Sequence, residues 1–181
     1  RALAGTPGVD RALVNLATHI PSGQAAAKSS SWDENNRIRR EISANMAAAA
    51  VAVSASRLIQ ESIVLPYRDA GDEWIDEASP IKPAPALEST VAAQENALAV
   101  AGDELTAVVL RFGLFYSPDA AHLAEQIALA RRGMAPVLGG PNGYMPTIDA
   151  DDAASAVVAA LAVPTGIYNV VDNDPLTRRE Y

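Results

Sequence analysis

Three polar side chains that could do chemistry stand at the ends of three separate apolar runs: Thr18, Ser62 and Arg111. The hydroxyl of Ser62 could hydrogen-bond a substrate carbonyl, or it could bond only to backbone. The guanidinium of Arg111 is costly to bury unless it is paired. Ligands of α/β proteins bind at the carboxyl ends of parallel strands, so these residues predict one polar crevice.

Three further residues are candidates for proton transfer, each with a plainer alternative. Glu61 could accept a proton from a cofactor or substrate, or it could pair with an arginine, for which Arg111 is the obvious candidate. His19 could act as a general acid or base, or it could be a solvated loop histidine. Tyr67 could act as a displaced acid, which would need a nearby cation.

Two groups of charged residues are interpreted as structural. Asp149, Asp151 and Asp152 stand at the start of a predicted helix, where carboxylates cap the helix and pair with its dipole, so no metal site is predicted there. A solvated helix face, with a phosphate site as the alternative, is the interpretation of Arg37, Arg39 and Arg40.

The elements that must position these residues alternate along the chain. Buried strands are predicted at 11–17, 57–63, 106–110 and 167–171, and helices at 33–53, 87–101, 119–132 and 151–161. Alternating strands and helices indicate βαβ units, so the predicted fold class is α/β with a parallel sheet. The long segment 65–85, rich in proline and charge, is expected to be a functional or substrate-facing loop.

The composition limits the class of protein. The chain has 181 residues, a formal net charge of −8 and no cysteine. This acidic balance argues against nucleic acid or an anionic membrane as a partner. No run approaches the roughly 20 apolar residues of a membrane span. The lack of cysteine excludes disulfides and thiolate metal sites and fits a cytoplasmic protein.

Four segments, in order, resemble one family of proteins. They are Asn15-Leu16-Ala17-Thr18, Leu58-Ile59-Gln60-Glu61-Ser62, the stretch from Leu110 to Pro118, and Ile148-Asp149-Ala150-Asp151-Asp152-Ala153. In these segments the chain resembles the extended short-chain dehydrogenase/reductases, the NAD-dependent epimerase/dehydratase group. The resemblance implies a Rossmann-like doubly wound parallel sheet, NAD or NADP as cofactor, and a small-molecule substrate.

The resemblance also implies which residues touch the two ligands. The residues implied to contact the cofactor are Ala17, Thr18, Arg111, Phe112 and Gly113. Substrate contacts are implied for Ser62, Leu114, Tyr144 and Met145, within a substrate-binding region formed by parts of 65–85 and 119–150. Met145 stands where the family often has an arginine that holds nucleotide phosphate, which favours a more apolar pocket.

The chain departs from the family at its catalytic pair. The family's Tyr-x-x-x-Lys supplies a phenol whose pKa the lysine lowers. The matching positions are Ala86 and Thr90, and neither can replace the pair, because alanine has no proton to give and threonine has no charge. Of the family's three catalytic residues, Ser62 alone has a match here.

A second departure concerns the start of the fold. The family's first βαβ unit, with its glycine-rich pyrophosphate loop, has no counterpart, since Gly5-Thr6-Pro7-Gly8 precedes a strand and is interpreted as a turn. We expect the first βαβ unit and the C-terminal part of the family fold to be absent from this chain. Residues 1–181 would then form a single, partial dinucleotide-binding domain.

Two hypotheses about function remain open. The first is an atypical NAD(P)-dependent oxidoreductase, or epimerase/dehydratase-like enzyme, whose acid/base comes from Ser62 with Glu61, from His19 or from Tyr67. The second is a non-catalytic dinucleotide-binding or sensing protein on the same fold. In either case the resemblance implies a homodimer formed through the helices at 33–53 and 86–101.

Overall fold

The main sheet has four strands: β1 (Ala12–Asn15), β2 (Arg57–Ile63), β3 (Thr106–Phe112) and β7 (Gly166–Val170). The computed structural model describes residues 10–21, 25, 28–118, 120–133 and 140–180. Every pairing in this sheet is parallel, and the strand order is β1-β2-β3-β7. The predicted α/β class with a Rossmann-like parallel sheet is confirmed.

The register of the sheet brings polar residues together at its carboxyl edge. Ser62 pairs with Arg111, and Arg111 pairs with Asn169. Residues paired across neighbouring parallel strands lie side by side on one face. The three side chains therefore form a row across β2, β3 and β7, and Ser62 and Arg111 are neighbours as expected.

Helices pack on both faces of this sheet. On one face, α2 and α3 contribute small alanines, Ala47 and Ala97 among them, to a core with Leu58 and Val109. On the other face, Ala153 of α5 belongs to a separate core cluster. The helices are α1 (Asp33–Arg37), α2 (Ser43–Ala52), α3 (Glu88–Leu98), α4 (Ala121–Ala130) and α5 (Ala150–Ala159).

The predicted helix at 33–53 is not uniform. A π-helical segment, Ile38–Ile42, separates α1 from α2. A π segment closes its hydrogen bonds one residue further along the chain than an α-helix does. Buried positions nevertheless recur every three or four residues along the whole stretch, at Asn35, Arg39, Ser43, Ala47 and Ala50.

Two short strand pairs complete the carboxyl end of the fold. The strands β4 (Leu114–Tyr116) and β6 (Thr147–Asp149) pair in parallel, and β5 (Tyr144–Met145) and β8 (Leu176–Thr177) pair antiparallel. The spacing of Thr177 and Glu180 predicts a helix start. Glu180 Oε2 does accept from the backbone N of Thr177, at 3.0 Å, but residues 178–180 form a turn because β8 is held by β5.

Three expectations fall outside the part of the chain that the structure describes. They are the turn at Gly5-Thr6-Pro7-Gly8, the helix cap at Asp119 and a short strand at 136–138. Within the described ranges, no helix is long and apolar enough to cross a membrane.

Gly113 joins β3 to β4 at a point of close backbone approach. A methyl group placed on its α-carbon would lie 2.6 Å from the carbonyl oxygen of Pro146. That oxygen also accepts from the backbone N of Leu114, at 2.6 Å. The absence of a side chain at 113 is therefore required for β4 to reach its partner segment.

We expect Gly113→Ala to lower the free energy of unfolding by about 1–3 kcal/mol, the usual cost of overpacking. The matched control is Gly102→Ala, because a methyl group at Gly102 meets nothing within 4 Å. Denaturant unfolding measures both, and equal stability of the two variants would contradict the close contact at Pro146.

Candidate active site at the carboxyl edge of the sheet

A buried hydrogen-bonded chain begins at Ser62 and runs through Gln94 to Arg111. Gln94 Nε2 donates to Ser62 Oγ at 2.7 Å. Gln94 Oε1 accepts from Arg111 Nε and Nη2 at 3.2 and 2.8 Å. All three side chains are buried. The two guanidinium bonds fix which end of the amide is the oxygen, and this orientation leaves Nε2 to hold the serine.

Tyr67 extends this chain toward solvent. Arg111 Nη1 donates to the Tyr67 hydroxyl at 2.5 Å, and the guanidinium carbon lies 4.8 Å from the centre of the ring. The hydroxyl donates to Asn169 Oδ1 at 2.7 Å. Tyr67 and Asn169 are half-buried, so they are the members of the chain that a ligand can reach.

Arg111 does not pair with Glu61, although their positions in the sequence predict that pair. Glu61 instead accepts from Arg39 Nη2 at 2.7 Å. The expectation that Arg39 belongs to a solvated helix face is also wrong, because its side chain is 1% exposed. Arg39 stands four residues from the buried Asn35 and four from the buried Ser43, so it lies on the buried face of this helical stretch.

Burial and charge act on Glu61 in opposite directions. Removal from water raises the pKa of its carboxyl group, and the Arg39 guanidinium works to lower it. Arg39 Nη1 also donates to Thr90 Oγ1 at 2.5 Å. The hydroxyl at the position that resembles the family's lysine is therefore committed to a neighbouring guanidinium.

The turn after β1 is held in place by two asparagines. Asn35 Oδ1 accepts from Thr18 Oγ1 at 2.9 Å and from the backbone N of His19 at 3.0 Å. Asn15 Oδ1 accepts from the backbone N of Ala17 at 3.2 Å. Thr18 and His19 are exposed and Ala17 is half-buried, so this turn presents a fixed backbone to the crevice.

The remaining predicted residues fall into two environments. The side chain of Phe112 lies in the core, and its ring centre is 5.3 Å from that of Phe115. Leu114 and Tyr144 are exposed and Met145 is half-buried. Tyr144 donates to Asp72 Oδ1 at 3.2 Å, and the charge of Asp72 raises the pKa of the Tyr144 phenol.

Four side chains that take part in these hydrogen bonds carry little signal in the sequence: Asn35, Arg39, Gln94 and Asn169. Gln94 lies four residues after Thr90, so both occupy one face of α3. Asn169 follows from sheet register, which requires knowing that β7 pairs with β3. For Asn169, its place as a polar residue inside the apolar run of β7 is a hint that the sequence does give.

A known reductase is similar to this chain in sequence. The chain is 33% identical over 146 residues to a 3-diazoavenalumate denitrifying reductase from a Streptomyces species, an alignment that covers 77% of this chain and 48% of that protein. No protein-family model matches the chain.

Solved structures match over nearly the whole chain. Human epimerase family protein SDR39U1, solved with NADPH, has a TM-score of 0.78 at 24% identity, covering 98% of this chain and 62% of that one. DesIV from Streptomyces venezuelae, a dTDP-glucose 4,6-dehydratase solved with NAD, has a TM-score of 0.73 at 22% identity, covering 96% and 55%. The fold is that of an extended short-chain dehydrogenase/reductase.

The expected resemblance is thus confirmed in the fold. The chain spans about half the length of the curated relative it matches, 48%, and 55–62% of the two solved chains. Within the short-chain dehydrogenase/reductase fold, the described residues supply the strands whose carboxyl ends carry Thr18, Ser62 and Arg111.

We expect Gln94→Leu to lower the free energy of unfolding by roughly 3 kcal/mol, because it leaves Nε and Nη2 of the buried Arg111 guanidinium without an acceptor. Glu95→Leu is the matched control on the same helix, since Glu95 is exposed, and its effect should stay within about 0.5 kcal/mol. Thermal or denaturant unfolding measures the difference, and a Gln94→Leu protein as stable as the control would contradict the network.

Proposed function

We propose that this chain belongs to an NAD(P)-dependent reductase that acts on a small organic substrate. The observation that carries the proposal is the hydrogen-bonded chain from Ser62 to Tyr67, which ends at a half-buried phenol on the carboxyl edge of the sheet. Such edges are where ligands bind in α/β folds. The similarity to a curated reductase supports the same reaction type.

The residues that would hold the cofactor are those around the turn after β1 and the end of β3. Asn35 and Asn15 fix that turn, so the backbone at Ala17 and Thr18 is pre-organised for a bound ring. The two solved structures compared above contain NADPH or NAD. A nicotinamide bound here would supply a hydride, and the protein would supply orientation and electrostatics.

Tyr67 is the side chain best placed to give a proton where the substrate needs one. Arg111 stands against its hydroxyl and would stabilise the phenolate left behind. Tyr144 is a weaker candidate, since Asp72 raises the pKa of its phenol. Ser62 is fully buried and acts through Gln94, and Glu61 is engaged by Arg39.

The substrate is expected to be an electrophile other than a sugar nucleotide. Tyr144 and Met145 line the carboxyl end of the fold with aromatic and apolar groups. The curated relative is named for a diazo compound. A diazo group has no carbonyl oxygen to protonate, which fits a site without the Tyr-x-x-x-Lys pair.

The proposal is tested with the full-length protein, NADH and NADPH, and two substrate panels, one of aryl carbonyl compounds and one of aryl diazonium salts. We expect saturable binding of one dinucleotide by calorimetry and substrate-dependent loss of the reduced nicotinamide absorbance. A protein that binds neither dinucleotide would overturn the proposal.

Tyr67→Phe should lower kcat for a carbonyl substrate by about 100-fold or more, the usual contribution of a general acid. KM and dinucleotide affinity should change little, and a diazonium substrate should react at the wild-type rate. Tyr168→Phe is the matched control and should leave kcat unchanged, because the Tyr168 hydroxyl donates to the Pro164 carbonyl oxygen, outside the chain that includes Tyr67. If Tyr67→Phe is as active on carbonyls as the control, Tyr67 is not the acid.

A non-catalytic dinucleotide-binding protein is the second candidate. It is favoured by Ala86, which has no proton to give, and by Thr90, whose hydroxyl is held by Arg39. Under this candidate the full-length protein binds a dinucleotide and neither substrate panel is turned over.

A further inference from the structure

Three buried polar atoms near the carboxyl end of β2 have no hydrogen-bond partner among the described residues: Asn35 Nδ2, Arg39 Nε and Glu61 Oε2. The three side chains are 0%, 1% and 7% exposed. A buried donor or acceptor that stays unsatisfied carries the full cost of its removal from water. Each of the three atoms therefore calls for a partner.

The three atoms belong to one cluster. Asn35 and Arg39 are four residues apart in the helical stretch that begins with α1, so they lie near one another. Arg39 and Glu61 are in direct contact at 2.7 Å. The unsatisfied Nε is on the guanidinium that makes this contact, and the unsatisfied Oε2 is on the same carboxylate.

The ion pair between Arg39 and Glu61 is incomplete. Arginine and carboxylate commonly form two parallel hydrogen bonds. Here only Nη2 and Oε1 are joined, and Nη1 is directed to Thr90 Oγ1. One donor, Nε, and one acceptor, Oε2, are left open beside the bond, and Asn35 adds a second donor.

We propose that Asn35, Arg39 and Glu61 enclose a binding site for a single hydroxyl-type group, either a water molecule or the hydroxyl of a bound ligand. A hydroxyl accepts two hydrogen bonds and donates one. It therefore matches two open donors, Asn35 Nδ2 and Arg39 Nε, and one open acceptor, Glu61 Oε2. Only the ligand alternative rests on the proposed function.

The same geometry gives Arg39 a positioning role. Its guanidinium is bound to Thr90, the position that resembles the family's lysine, and it neutralises Glu61. The positive charge beside Thr90 and Glu61 is thus supplied from the helical stretch after β1 and not from α3. Asn35 precedes Arg39 by four residues and holds the segment at Thr18 and His19 after β1.

The first test is a high-resolution crystal structure of the full-length protein, alone and with NADPH. We expect one oxygen atom within hydrogen-bond distance of Arg39 Nε and Glu61 Oε2 in at least one of the two crystals. An isolated oxygen identifies water, and an oxygen continuous with the dinucleotide identifies a ligand hydroxyl. A doubly bonded Arg39–Glu61 pair with nothing enclosed in either crystal overturns the site.

The second test moves the positive charge from position 39 to position 90. Arg39→Met strands the Glu61 carboxylate, and Thr90→Lys adds a second cation beside Arg39, so each alone should lower the melting temperature. The double variant, in which the introduced ammonium group can pair with Glu61, should recover most of the loss. Arg40→Met is the matched control, because Arg40 is exposed.

This exchange of charge between positions 39 and 90 tests the positioning role of Arg39. A double variant no more stable than the weaker single variant, or an Arg39→Met protein as stable as Arg40→Met, overturns the positioning role. If Arg39→Met does not fold, the double variant and Arg39→Lys still report on the charge. A filled site in a protein that binds no dinucleotide would overturn the proposed function and leave this inference standing.

Discussion

A positive charge buried at the end of a central strand is the constraint on which the carboxyl edge of this fold depends. A buried guanidinium is costly unless it is paired, so the donors of Arg111 must find partners. Gln94 receives two of them and Tyr67 a third. Meeting this requirement orients Gln94, fixes Ser62 and holds the loop after β2 over the sheet.

Helix α3 provides hydrogen-bond acceptors to two buried arginines from one of its faces. Thr90 receives Arg39 and Gln94 receives Arg111, and these helix positions are four residues apart, on the same face. Each arginine reaches α3 from a different element. The helix that carries Thr90, the position resembling the family's lysine, thus supplies acceptors for cations that come from elsewhere.

The parts of the structure that could be predicted from the sequence are those set by periodicity. The β-branched runs predict the strands, and the rule that parallel strands share a carboxyl edge places Ser62 beside Arg111. The partner of Glu61 could not be predicted, because an arginine in a cluster of three is expected in solvent, whereas Arg39 lies on the buried face with Asn35 and Ser43. Gln94 and Asn169 were also out of reach, since an amide side chain gains its role only from neighbours distant in the chain.

The bond between Tyr67 and Asn169 joins residues 102 positions apart, and this separation has a consequence for how the protein is made. Contacts between distant segments form late and slow the overall folding rate. During synthesis β3 is complete long before β7 exists to cover its edge. An emerging chain therefore carries an exposed strand edge, with Arg111 beside it, until the last strand of the main sheet leaves the ribosome.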